Sequence, residues 1–147
     1  MASVFTQVHA KQKFGLGKRV RDSKGNEFIY LKGVASTVVG SVVTYGLTAS
    51  SAFQTALSVT GAKGPVAVAM AATVASTFGW YQIYGAATAN FNGAAVAGAK
   101  LYSAGTGLCD DAVVAGDQIV GAIVAATVAG AGLGSVYLQY PAMQGLG

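Results

Sequence analysis

The chain has 147 residues and only 10% of them are Asp, Glu, Lys or Arg, against about 25% in an ordinary soluble domain. That length closes one hydrophobic core and leaves no room for a second full domain of usual size. One histidine and five acidic residues are a poor stock for acid–base catalysis, and one cysteine excludes an intrachain disulfide.

The charge is unevenly spread. Residues 1–32 carry seven basic side chains (Lys11, Lys13, Lys18, Arg19, Arg21, Lys24, Lys32) and two acidic ones (Asp22, Glu27), net +5, while the rest of the chain sums to −1. Residues 33–62, 64–99 and 118–147 contain no charged residue at all. A free monomer ordinarily shows a mixed charged surface, so stretches this bare are expected to face either core or a partner.

In chain order, residues 1–26 read as a basic N-terminal arm, ending in the turn signal at 22–26, and residues 27–147 as a β-rich body. Phe5, Val8, Phe14, Leu16 and Val20 imply that the arm docks on something, because a solvating tail holds fewer large apolar groups. His9, inside this arm, reads as an exposed polar residue. Residues 27–32 (EFIYLK) read as a strand apolar on both faces. Residues 37–45 (TVVGSVVTY) read as another, with Gly40 marking a bulge or a close backbone approach.

Pro65 opens an alternation of Val66, Val68 and Met70 against Ala67, Ala69 and Ala71, and 80–84 (WYQIY) follows between Gly79 and Gly85. Residues 94–102, 118–128 and 135–140 complete the set, the last stopping at Pro141. In 118–128, strict alternation puts Ile119 and Ile123 on one face and Val120, Val124 and Val128 on the other. Ala67–Ala75 and 119–129 are rich enough in alanine to leave helix open, but Val, Thr and Gly density favours strand. The pattern predicts an all-β fold, a small β-barrel or β-sandwich with an extended basic N-terminal arm.

The long apolar runs raise the possibility of a membrane. Residues 119–134 fall about four short of the ~20 needed to span, and Gly121, Gly130, Gly132 and Gly134 interrupt them. A small-residue-rich membrane protein is therefore a less favoured alternative. The N-terminus also lacks the apolar run and cleavage pattern of a secretion signal, which predicts a protein made and kept inside a cell, in its cytoplasm.

Motifs that carry chemistry fail in specific ways. Residues 93–101 resemble a phosphate loop, but Lys100 falls one residue late and Leu101 stands where Ser or Thr would hold magnesium. Residues 130–135 miss the dinucleotide fingerprint, their third glycine coming one residue early. There is no G-x-S-x-G. Cys109, Asp110, Asp111 and Asp117 form the one acidic cluster, at a spacing that matches no metal loop, and Cys109 reads as a core residue. No catalytic residue, metal or cofactor is expected. Trp80, Tyr81 and Tyr84 could stack bases, but no basic residue flanks them, so core or subunit packing is the expectation and direct nucleic-acid contact is not.

Several segments together resemble the capsid cement or decoration proteins of tailed bacteriophages. They are 16–20 and 25–36, 64–70 (GPVAVAM), 79–85 (GWYQIYG), 110–117 (DDAVVAGD) and 136–141 (VYLQYP). The resemblance implies a β-rich, non-catalytic virion protein, often a homotrimer, on the outer capsid surface. It implies further that the protein bridges neighbouring major capsid proteins and stabilises the lattice. A head-fibre or tail-tube component is the alternative. On this reading Lys11, Lys13, Phe14, Lys18, Arg19 and Arg21 are the expected capsid contacts, and Trp80, Tyr81, Tyr84, Ile119 and Ile123 the expected contacts between copies of the chain.

Overall fold

The computed structural model describes residues 4–46 and 49–144. Within them the chain is all-β, with two three-residue 3-10 turns at Val4–Thr6 and Ala49–Ser51; no helix is long and apolar enough to cross a membrane. The strands are β1 (Val8–His9), β2 (Arg19–Arg21), β3 (Glu27–Lys32), β4 (Val42–Tyr45), β5 (Thr55–Leu57) and β6 (Gly64–Ala69). They continue as β7 (Phe78–Phe91), β8 (Lys100–Ser103), β9 (Cys109–Asp110), β10 (Gln118–Val124) and β11 (Gly132–Met143).

All belong to one mixed sheet, ordered β2-β3-β7-β9-β8-β10-β11-β6-β4-β5, with β1 added on β7. The path turns back on itself because β7 also pairs with β11 and β6. Strands β7, β9, β8, β10 and β11 thus form a ring. It is a partial one: β9 meets β7 only at Phe91↔Cys109, and β8 meets β10 only at Gln118↔Tyr102 and Ile123↔Lys100. The choice between barrel and sandwich resolves as a single sheet closed part-way.

Strand β7 carries this architecture. Residues 78–84 pair with β3 along one edge and with β1 and β6 along the other. Beyond them the ladder passes to β11, from Gln139↔Tyr84 to Gly132↔Phe91. Gly85 does not end the strand as the sequence suggests; it sits beside a bulge, between Glu27↔Tyr84 and Phe28↔Gln82, where β3 leaves off.

Two doubly apolar strands explain the core. Ile29 and Leu31 of β3 join Tyr81 and Ile83 of β7, with Val43, Tyr45, Ala67 and Ala69. On the opposite face, Phe28, Tyr30 and Trp80 form an aromatic cluster. A third cluster fills the ring, built from Phe91, Leu101, Cys109, Ile119, Val124, Val136 and Leu138 among others.

The basic segment has little secondary structure of its own, yet it lies along the body and does not project from it. Phe5 stacks on Phe28 at 4.0 Å between ring centroids, and Phe14 meets Tyr30 edge-on at 5.3 Å. Leu16 and Val20 close over the same aromatic cluster. Covering Phe28, Tyr30 and Trp80 removes their apolar area from water at roughly 25 cal/mol per Å². That is the reason a polar, basic segment stays down. His9 is accordingly not an exposed residue: it is buried, and its Nδ1 lies 2.8 Å from the Tyr30 hydroxyl.

Other departures from strict alternation have local causes. Residues 37–45 contribute strand only from Val42, because Gly40 is a tight turn (φ +84) pressed onto β7 and β11. A Cβ there would come within 3.0 Å of the Asn90 amide nitrogen and 2.8 Å of Leu133 Cδ2. Gly121 (φ +86) lies in a bulge between Val120 and Ala122. The extra residue shifts the phase by one, so Ile119, Ala122 and Val124 face inward while Val120 and Ile123 face out. Ile119 and Ile123 therefore do not share a face. Strand β11 continues through Pro141 to Met143 because the proline falls in the same irregular stretch, where no ladder bond to β10 is needed. Of residues 94–102 only the last three are strand; Ala95 makes a lone bridge to Val128.

Burial, and secondarily the charge of Lys13, hold the His9 imidazole below its ordinary value of 6.5. The folded state therefore prefers neutral His9. That contribution is complete above pH 6.5 and is lost as pH falls through the lowered folded value. Amide protection of residues 5–16, corrected for intrinsic exchange, is expected to fall between pH 7.5 and pH 5 while that of β7 holds. His9→Gln should abolish the difference, and an unchanged profile in the parent chain would show that His9 does not govern docking.

Candidate binding surface

One end of the sheet gathers the basic residues. β2 is the terminal strand and pairs with β3 through Arg19↔Ile29, Val20↔Phe28 and Arg21↔Glu27. Period two sends Val20 down onto the aromatic cluster and leaves both arginines on the opposite face. Both converge on Glu27, which is buried. Arg21 Nε donates to Glu27 Oε1 at 3.1 Å, and Arg19 Nη1 lies 3.9 Å from Oε2.

Two tyrosines from distant strands complete the arrangement. The Tyr140 hydroxyl donates to Glu27 Oε1 at 3.0 Å and accepts from Arg21 Nη2 at 3.3 Å. Tyr84 packs on Tyr140 with ring centroids 5.1 Å apart. These contacts, Tyr140 first and Glu27 second, push the Arg21 guanidinium above its ordinary value. Tyr140 sits at φ +49, a conformation costly for a residue with a side chain and held here by the surrounding structure. Glu27 can neutralise one of the two arginines, so the edge keeps a net positive charge. Lys18, poised 5.2 Å over the Phe14 ring, and Lys24 add to it. Such a site can hold a carboxylate or another anion by charge-assisted hydrogen bonds.

A second surface is chemically opposite. On the outer side of the ring Val120 and Ile123 of β10 and Leu133 and Tyr137 of β11 are each exposed by 40% or more. Ile123 lies across from Tyr137, and Tyr137 from Ala86. A shallow groove of about 260 Å³ lies beside Ile123 and Tyr137, lined also by Gln118, Gln139 and Lys100, its single charged lining residue.

The expected contact residues divide between these surfaces and the interior. Lys11, Lys13, Lys18, Arg19 and Arg21 are exposed. Phe14 is half-buried against Tyr30 and Trp80 and anchors the segment to its own body. Among the residues expected between copies, Trp80, Tyr81 and Ile119 are at most 3% exposed. They belong to the chain's own core and present no surface to a second copy; the doubly apolar strands are covered within one chain. Tyr84 and Ile123 remain at the surface.

The acidic cluster is dispersed. Asp110 accepts from the Ala112 amide, Asp111 from the Val96 amide and Asp117 from the Gly61 amide, each fastening a different loop. No group of three or more metal-ligating side chains occurs among the described residues. Burial, with a further push from Asp110, raises the Cys109 thiol to about 12, as fits a core position.

Glu27, Tyr140, Leu133 and Tyr137 were not anticipated as site residues. Tyr137 and Leu133 follow from the alternation along β11 once its inward face is known. Tyr140 meets Arg21 across 119 positions of sequence, and no local pattern announces that. No family model matches the chain, and neither a characterised protein nor a solved structure is detectably similar to it. Function is accordingly argued from the residues.

Removing the Tyr140 hydroxyl deletes one bond to the buried end of Glu27 and one from Arg21. Tyr140→Phe is expected to cost about 1 kcal/mol in denaturant unfolding. A loss below about 0.3 kcal/mol would show that Tyr140 does not brace the arginine pair.

Proposed function

We propose that this chain is a structural component of a tailed-bacteriophage virion, without catalysis, that docks on the outer capsid surface and bridges neighbouring major capsid proteins. The observation that carries the reading is the segregation of its surface. A basic edge (Lys18, Arg19, Arg21, Lys24) and an uncharged apolar face (Val120, Ile123, Leu133, Tyr137) sit on one body of paired strands.

Each surface suits a different partner. The apolar face carries a single charge in its groove, Lys100, so meeting a like face costs little Coulombic energy, which suits self-association into a small oligomer such as a trimer. The basic edge suits an acidic lattice. Several such edges on one oligomer bind a repeating surface with an avidity far above that of any single edge. Close packing and the scarcity of titratable groups fit a protein selected for rigidity.

The test uses capsids lacking this protein, prepared from the phage genome that encodes it. Wild-type chain should co-sediment with them and occupy lattice positions in a cryo-EM map, with binding weakened by added salt. Arg19→Glu combined with Arg21→Glu should lower occupancy more than tenfold while circular dichroism and oligomer mass stay unchanged. Ile123→Ser combined with Tyr137→Ser should shift the oligomer toward monomer. Undiminished binding by the charge-reversed chain would sink the assignment of the basic edge; absence of wild-type chain from the lattice would sink the capsid reading itself.

A further inference from the structure

The basic edge offers more than charge. Antiparallel pairs alternate between residues that exchange backbone hydrogen bonds and residues that do not. Along β2 and β3 the bonds Tyr30 N–H to Lys18 O (2.9 Å) and Asp22 N–H to Asn26 O (3.0 Å) mark the bonded positions as 18 and 22, and hence 20. Arg19 and Arg21 are the intervening, non-bonded positions. Their N–H and C=O groups point away from β3, and β2 pairs with no other strand among the described residues. An edge of this kind is a template for strand addition, which proteins ordinarily blunt.

We infer that the β2 edge receives an extended acidic segment of a partner protein as an additional antiparallel strand, with carboxylates at alternate positions facing Arg19 and Arg21. Three features favour an acidic occupant. The two guanidinium groups lie on one face, two residues or ~7 Å apart along the strand. Residues 1–32 carry net +5. Glu27, the one carboxylate between the arginines, is already engaged by both and by Tyr140. A second copy of β2 is excluded as occupant by its own charge, because antiparallel pairing would set arginine against arginine.

Register makes the inference specific. A residue directly opposite Arg19 or Arg21 in an antiparallel ladder exchanges both backbone bonds with it and points its side chain to the same face. The acidic residues of the added strand are therefore also the ones whose amides must be free. The inference rests on the proposed function only for the identity of the segment's owner, the capsid protein.

The experiment uses the full chain and a blocked peptide of alternating Thr and Glu, with binding followed by amide chemical shifts of residues 18–22. The parent peptide should bind, and Arg19→Glu with Arg21→Glu should weaken it more than tenfold. N-methylation of the Glu amides should weaken binding more than tenfold, while N-methylation of the Thr amides should leave it within about threefold. Equal affinity of the two methylated peptides would overturn strand addition in favour of charge attraction alone. An oligothymidylate that binds the same residues more than tenfold tighter than the peptide would overturn the acidic-segment assignment. Failure here with intact, arginine-dependent capsid binding condemns only the strand; peptide binding without capsid binding condemns only the capsid reading.

Discussion

The fold depends on one long strand that has to be covered on both faces and along both edges. Residues 78–84 of β7 carry large side chains on each face, Trp80 toward the aromatic cluster and Tyr81 and Ile83 toward the opposite one. Such a segment is stable only with material above and below it. Strands β4, β5 and β6 provide one cover, and the N-terminal segment provides the other. Past Gly85 the side chains change character: Ala87, Ala89 and Phe91 point into the ring, while the outward Ala86 and Thr88 are small. The same strand thus passes from a doubly covered region to a half-exposed one, and the uncharged face becomes visible where it does.

This division explains why the basic segment docks in cis. Without residues 4–20, Phe28, Tyr30 and Trp80 would form an exposed aromatic patch, an arrangement prone to association. The segment shields it with Phe5, Phe14 and Leu16 and returns its lysines and arginines to water on the far side. Docking also gives the edge its geometry. Val20 must enter the aromatic cluster, so Arg19 and Arg21 must point to the other face, toward Glu27 and Tyr140. The hydrophobic contact under β2 is in this sense what aims the arginines.

Much of this was legible in residue order, and the limits have physical causes. Residues 27–32, 65–69 and 80–84 declare themselves as strands because β-branched and aromatic side chains dominate them, and all three are strands. The apolar residues of the basic segment foretell docking but not on what. Alternation fails where a bulge adds a residue: Gly121 separates Ile119 from Ile123, and a period-two count has no means of seeing it. Burial of Trp80 and Tyr81 was read as contact between copies, because a strand apolar on both faces looks the same whether its cover comes from another subunit or from the chain's own N-terminus. The arginines of the site stand out by composition alone. Their partners Glu27 and Tyr140 do not, since that link exists only once β11 returns beside β3 across β7.

The scarcity of charge can be reconsidered in this light. Long uncharged stretches suggest that much of the chain faces partners, yet their buried side chains fill three clusters within the single chain. What remains exposed and apolar includes Val120, Ile123, Leu133 and Tyr137 on β10 and β11, with Val38, Val39, Val59, Val74, Val96, Val113 and Val114 scattered over the loops. A monomer with this surface is poorly guarded against association, because seven of the nine basic residues lie in residues 1–32. Spreading nine basic residues evenly would improve solubility. Gathering most of them in the N-terminal segment leaves the β10–β11 surface with Lys100 as the one charge in its groove and gives the β2 edge a strong preference for acid. On the proposed function, a chain that first joins its copies and then settles on an acidic lattice gains from that arrangement a rule for which face goes where.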